Sequence, residues 1–266
     1  MTSTNAPVAV VTGASSGIGA AIAREYARRG VPLVLVARRE ARLQALADEL
    51  RGQVDSQVIA ADLADPTAPA RLVDELAARG IAIRILVNNA GYGVPGRYLE
   101  NDWATHAAFL QVMVGAVSEL SWRLLPSIRG FEDGRVLNVA SFAALVPSAD
   151  GQTLYAPAKA WLVKFSESLA MENIDRGVRV TALCPGFTYS EFHDVTGTRS
   201  KMRVSPKLWL DATDVARFGI DANERGQLLA VPGWRYRLLG TLVKLLPHRV
   251  SMTLMARNSR KVRPVD

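Results

Sequence analysis

Tyr155 and Lys159 stand four residues apart in 151-GQTLYAPAKA-160, flanked by small residues and interrupted by Pro157. On a helix that spacing stacks two side chains on one face, about one turn apart. A phenol ordinarily titrates near ~10 and a neighbouring ammonium favours its ionised form, which is what general acid/base work near neutrality needs. The same two residues also suit an ordinary helix surface. The pair alone does not choose between the two, so the elements that position it must.

A second cluster with chemical meaning is 12-TGASSGIG-19. Gly13, Gly17 and Gly19 allow a tight turn, the close approach of a pyrophosphate and tight helix packing. Amides at the start of the following helix, around Ser15, Ser16 and Ile18, then hold the anion. A flexible Gly/Ser turn has the same composition, but a glycine-rich turn at the first strand-to-helix junction of a βαβ pattern favours a dinucleotide. At the end of the second strand, in VARRE, Arg38 and Arg39 occupy the place of the acid that grips the ribose hydroxyls of NAD. Guanidinium recognition of a 2′-phosphate makes NADP the favoured cofactor, with NAD the alternative and solvated helix-start arginines the bland one.

The elements between these clusters alternate. Residues 8–13, 32–37, 56–62, 84–90, 134–141 and 178–185 read as strands, apolar almost throughout, as in a parallel sheet covered on both faces. Helical patterns lie between them at 18–29, 40–50, 68–79, 103–128 and 153–174. The fold class is therefore α/β, a Rossmann-type doubly wound parallel sheet of about seven strands with helices on both faces. Residues 211–226 read as a helix capped by Asp211, and 227–232 as a short seventh strand. Residues 1–232 form one dinucleotide-binding and catalytic domain, and 233–266 a basic amphipathic helical extension packed on it. In that tail Leu238, Leu239, Leu242, Leu245 and Leu246 cluster on one helical face, and Pro247 forces a break or a new helix.

Composition limits the function classes. Of 266 residues 49% are hydrophobic and 21% charged, values of a globular chain rather than a disordered one. A single cysteine, Cys184, excludes an internal disulfide, and His106, His193 and His248 lack metal-ligand spacing, so no metal is expected. A reducing, cytoplasmic setting is the expectation, with no signal peptide visible and no uninterrupted apolar run of about 18 residues. The net charge of +7 is confined to the tail: from Lys201 onward there are 13 Lys/Arg and 5 Asp/Glu, leaving 19 and 20 before it. That distribution suits a surface-attachment or interaction segment better than a nucleic-acid-binding domain, and no aromatic stacking platform accompanies it.

With the glycine loop in place, 88-NNAG-91, Ser141 and Tyr155-x-x-x-Lys159 follow in order, each at a strand edge or helix start. This ordered set resembles the classical short-chain dehydrogenase/reductase family over residues 7–232. The resemblance implies an NAD(P)-dependent oxidoreductase that interconverts a small-molecule carbonyl and an alcohol. Tyr155 would exchange the proton, Lys159 would hold the nicotinamide ribose and lower the tyrosine's pKa, and Ser141 would orient the substrate oxygen. Asp62 and Leu63 would contact the adenine, Asn89, Ala90 and Gly91 would line the cofactor ribose, and Pro185, Gly186 and Thr188 would grip the nicotinamide amide. Met113 departs from the family pattern, which often has an asparagine there, with its carbonyl in a water relay. That departure supports the alternative of a catalytically weak, nucleotide-sensing binding protein.

The loop 187–209 reads as a lid, in which Phe187, Tyr189, Phe192 and Trp209 either line an apolar pocket or pack onto the body. An apolar substrate is the expectation. The tail has two outcomes: burial against the body or a second subunit, or peripheral attachment to an anionic membrane. The family's habits imply a homodimer or homotetramer.

Overall fold

The computed structural model describes residues 6–151, 153–189 and 205–262, with side chains through residue 257. Among these, seven strands form one parallel sheet: β1 (Val8–Thr12), β2 (Leu33–Ala37), β3 (Ser56–Ala60), β4 (Ile83–Asn88), β5 (Arg135–Val139), β6 (Arg179–Leu183) and β7 (Leu229–Ala230). Their order is β3-β2-β1-β4-β5-β6-β7, the doubly wound arrangement expected. The order reverses at β1, whose neighbours are β2 and β4, and a ligand crevice opens beyond the strand ends at such a point.

The uninterrupted apolar character of β1 follows from its two covered faces. Ala9 and Val11 enter one core, against α1 (Gly17–Arg28) and α2 (Glu40–Leu50), while Val8 and Val10 enter the other, against α3 (Ala68–Ala78). Neither face meets water, so the pattern need not alternate.

The stretch 103–128, one helix by its periodicity, is three pieces: α4 (Trp103–Leu110), a π-helical turn (Gln111–Gly115) and α5 (Ala116–Ile128). The amide of Ala116 reaches back five residues to the carbonyl of Gln111, and such a single wide turn inside a helix commonly marks a functional site. Although long and apolar enough to span a bilayer, this stretch buries Val112, Leu120 and Leu124 in the core beside β4.

α6 (Tyr155–Met171) begins at the tyrosine itself, which puts Pro157 in the first turn, where no intrahelical partner is lost. α7 (Ala212–Glu224) is capped as expected, the Asp211 carboxylate accepting from the Thr213 amide at 2.7 Å. The seventh strand is shorter than its apolar run, with Leu229 and Ala230 paired to β6. Two tail helices follow, α8 (Trp234–Leu245) and α9 (His248–Val262), separated by Pro247.

Away from the crevice, a charged cluster joins α1 to α7. Arg29 donates to Glu25, Asp221 and Glu224, and Arg135 donates to Glu224 from β5. The buried Glu25 also accepts two bonds from Arg28 at 2.8 Å. Chiefly through Arg28, and against the opposing effect of burial, its carboxyl is held at about 2 instead of 4.5. A carboxyl depressed on folding stabilises above its unfolded pKa and loses that contribution as pH falls through its folded one. Glu25→Gln is therefore expected to cost on the order of 2–3 kcal/mol at pH 7. The difference from wild type should shrink as pH falls from 4.5 towards 2, which urea denaturation at a series of pH values measures.

Candidate active site

At the β1–α1 junction Gly13 and Gly17 have φ of 67° and 55°, a region that side chains rarely enter. Gly19 is required for space: a Cβ there would lie 2.3 Å from the Gly13 carbonyl oxygen and 2.4 Å from Asn89 Nδ2. The loop is locked from β4. Asn89 Nδ2 donates to the carbonyls of Thr12 (2.9 Å) and Gly13 (3.2 Å), and Thr12 Oγ1 accepts from the amides of Asn89 and Ala90. Asn89 thus holds the glycine loop as well as lining the crevice.

Ser16 is extended at the start of α1 and its hydroxyl does not cap the helix, so the first-turn amides are left to an anion. Arg39 Nη2 donates to both Ser15 Oγ and Ser16 Oγ at 3.0 Å, placing a guanidinium on the rim of the loop. Arg38 is exposed beside it, and its guanidinium has no hydrogen-bond or ion-pair partner among the described residues. A turn shaped for glycine, uncapped amides and two arginines together fit the pyrophosphate and ribose of a dinucleotide.

Beyond β5 the side chains named as candidate catalytic groups converge. Lys159 is buried and its Nζ donates to the Val139 carbonyl at 2.7 Å. The same Nζ stands 5.9 Å from the ring centroid of Tyr155. Burial brings the amine down from 10.5 to about 8, because desolvation disfavours the ammonium. Ser141 leads a short helical turn after β5, its Oγ accepting from the Ala143 amide at 3.2 Å. Nearby Cys184 is buried, and burial pushes its thiol up to about 12, so it is an inert neighbour rather than a nucleophile.

Met113 lies in the π-helical turn, packed on Phe109 and Ala158. A Cβ on Gly91 would sit 2.9 Å from its Sδ and 3.6 Å from Lys159 Nζ. The thioether therefore borders the lysine's pocket directly.

The glycine loop, Arg38, Arg39, Ser141, Tyr155 and Lys159 open on one cavity of about 880 Å³, whose lining includes neither Met113 nor Cys184. Of the catalytic and cofactor residues named from the sequence, each lines it except Gly19, which lies behind the glycine loop. Within this lining Asp62 accepts from the Ala64 amide at 3.0 Å, and Thr188 donates to the Gly186 carbonyl. Of the lid aromatics, Phe187 lines the cavity, whereas Tyr189 and Trp209 stack on each other at 4.9 Å; Phe192 falls outside the described residues.

One wall was not anticipated. α8 carries Tyr236, Leu239, Leu242 and Leu246 follows it, and all four line the cavity. The Tyr236 hydroxyl donates to the Leu208 carbonyl and accepts from the Phe187 amide. Its ring covers Gly186 so closely that a Cβ there would lie 1.9 Å from Tyr236 Cζ. The leucine spacing announced an apolar face, but nothing local said that its Leu239, Leu242 and Leu246 line a cavity with Phe142 and Gly186, which follow β5 and β6.

The site's order along the chain and its geometry agree with an independent comparison, in which residues 7–200 match the family model for short chain dehydrogenase. The chain belongs to the short-chain dehydrogenase family. It is an NAD(P)-binding oxidoreductase. Among relatives of this short-chain dehydrogenase, oxidoreductase UcpA of Escherichia coli is 34% identical over 180 residues, 67% of this chain and 68% of UcpA. A short-chain dehydrogenase from Sphingobium yanoikuyae in complex with NADPH superimposes with TM-score 0.79 at 28% identity, covering 91% of this chain and 97% of that one. A family member from Burkholderia phymatum in complex with NAD gives TM-score 0.78 at 25% identity, covering 100% and 99%.

Proposed function

We propose that this short-chain dehydrogenase interconverts an apolar ketone or aldehyde and its alcohol, with Tyr155 exchanging the proton and NADP preferred over NAD. The observation that carries the reading is the meeting of Tyr155, Lys159 and Ser141 on the cavity that the glycine loop also lines. The bound dinucleotide supplies or accepts the hydride. Ser141 and Tyr155 orient the substrate oxygen between their hydroxyls, and the Lys159 ammonium favours the phenolate when the proton leaves. Asn89, Ala90 and Gly91 line the ribose side, with Pro185, Gly186 and Thr188 against the nicotinamide. Leucines from the tail and Phe142 give the remaining wall its apolar character, which favours an apolar substrate. Exposed Trp103 and Trp122 on α4 and α5 support assembly as a homodimer or homotetramer, and a cytoplasmic setting belongs to the same proposal.

Consumption of NADPH with a panel of ketones and aldehydes, compared with Tyr155→Phe, tests the assignment. Ordinary dinucleotide binding with no turnover by either protein would favour the nucleotide sensor, the alternative that Met113 supports. For cofactor choice, Arg38→Ala is expected to weaken NADPH binding roughly 10- to 100-fold while sparing NADH, the size of a lost hydrogen bond to a charged group. Equal losses for both dinucleotides in fluorescence titration would remove Arg38 from 2′-phosphate recognition.

A further inference from the structure

Residues 233–265 contain eight Lys/Arg and no Asp/Glu. In the body of the protein many arginines are matched to acids, as Arg24, Arg29, Arg71, Arg97 and Arg135 are in ion pairs. On the tail, Arg237, Lys244 and Arg249 are exposed, and none has an acidic partner among the described residues. Beside these cations lie apolar side chains in the open. Trp234 is 59% exposed, Leu238 52%, Leu242 51% and Leu245 76%. At positions 234, 238, 242 and 245 they recur every three to four residues and share one face of α8.

The opposite side of α8 is fixed to the protein by buried Tyr236 and Gly240. The helix is therefore held with an apolar stripe outward and cations along its flank. Leu242 belongs both to that stripe and to the cavity wall, to which Leu239, Leu246 and Met255 also contribute. Leu242 thus joins the exposed stripe of the tail to the apolar wall of the cavity.

We infer that the α8–α9 tail docks on an anionic lipid bilayer and that the apolar substrate enters the cavity from the bilayer past Leu242. Leucine and tryptophan on one face with lysine and arginine beside it is the composition of a helix that lies in the membrane interface. Unpaired cations favour lipid of opposite charge over a second copy of the same basic tail. The entry step rests on the carbonyl–alcohol reading given above; docking does not.

Flotation of the full chain with vesicles separates the possibilities. Binding to phosphatidylcholine vesicles containing phosphatidylglycerol is expected to exceed binding to phosphatidylcholine alone roughly 100-fold, since each basic residue near the surface contributes about fivefold. The double variant Leu238→Glu/Leu245→Glu should lose most of that binding, as should Arg237→Glu/Lys244→Glu, and neither pair lines the cavity. NADPH titration reports that both variants are folded. Both should reduce a water-soluble ketone as wild type does, yet reduce a long-chain ketone held in vesicles at least roughly tenfold more slowly, following the loss of surface binding. Equal binding to both vesicle types, or unchanged binding by both variants, overturns the docking. Loss of self-association on sedimentation, without vesicle binding by wild type, would make the face an interface between copies and also overturn it. If docking is seen but vesicle-held and soluble ketones slow alike in the variants, entry from the bilayer is overturned. Turnover of no ketone at all would refute the enzymatic reading and leave the flotation result standing.

Discussion

Tyr155→Phe is expected to lower turnover roughly 10²–10⁴-fold, the contribution usual for a positioned proton donor, with dinucleotide affinity nearly unchanged. The substitution removes one oxygen. The ring stays, and it packs beside Phe109, Met113 and Ala158, so the start of α6 keeps its place. The loop amides, Arg38 and Arg39 are on other elements and do not sense the change. Loss of rate with retained binding therefore isolates the hydroxyl. Stopped-flow oxidation of NADPH by a saturating ketone, with fluorescence titration of NADPH for affinity, measures both quantities. A variant as fast as wild type would show that the proton comes from elsewhere, and Ser141 would be next to test.

The fold and the shape of the glycine loop were legible because each depends on short-range chemistry. Six apolar runs separated by helical periods imply a parallel sheet, and the glycines at 13, 17 and 19 mark positions where the backbone or its neighbours leave no room for a Cβ. Tyr155 and Lys159 were legible as a helical pair for the same reason. What escaped was set by contacts between distant segments. The π-helical turn at Gln111–Gly115 has no local sequence signal, since its residues suit an ordinary helix; its Met113 packs on Phe109 and Ala158 and closes over Gly91. Asn89 lines the cavity, but its bonds to Thr12 and Gly13 span 77 and 76 positions along the chain. The tail's leucines showed a face without showing how the helix is seated, because the seat of its buried Tyr236, Gly186, is a glycine that carries no hydrophobic pattern.

Lys159→Met should reduce activity and flatten the pH dependence of stability. Removing a preorganised charge beside the reacting phenol is expected to cost roughly 10²–10³-fold in turnover. Stability follows from burial, which brings the wild-type amine from 10.5 to about 8. Between those values the unfolded chain holds a proton that the folded chain has released, so wild-type stability rises with pH, by about 3 kcal/mol in total. Below about 8 the folded protein carries the disfavoured ammonium and the penalty is complete. Methionine does not titrate, so the variant lacks this rise. It also leaves the Val139 carbonyl without its 2.7 Å donor, which offsets part of the gain at neutral pH. The slope is therefore more decisive than the absolute value, and urea midpoints from pH 7 to 10.5 supply it, with other groups cancelling between the two proteins. Identical slopes would show that Lys159 does not titrate in this window. In kcat/KM, which reports groups of the free enzyme, wild-type reduction should decline above about 8 as the ammonium is lost. Lys159→Arg, charged throughout, should carry that decline to higher pH even where its bulk lowers the rate. If the decline stays where it was, it belongs to the phenol of Tyr155 instead.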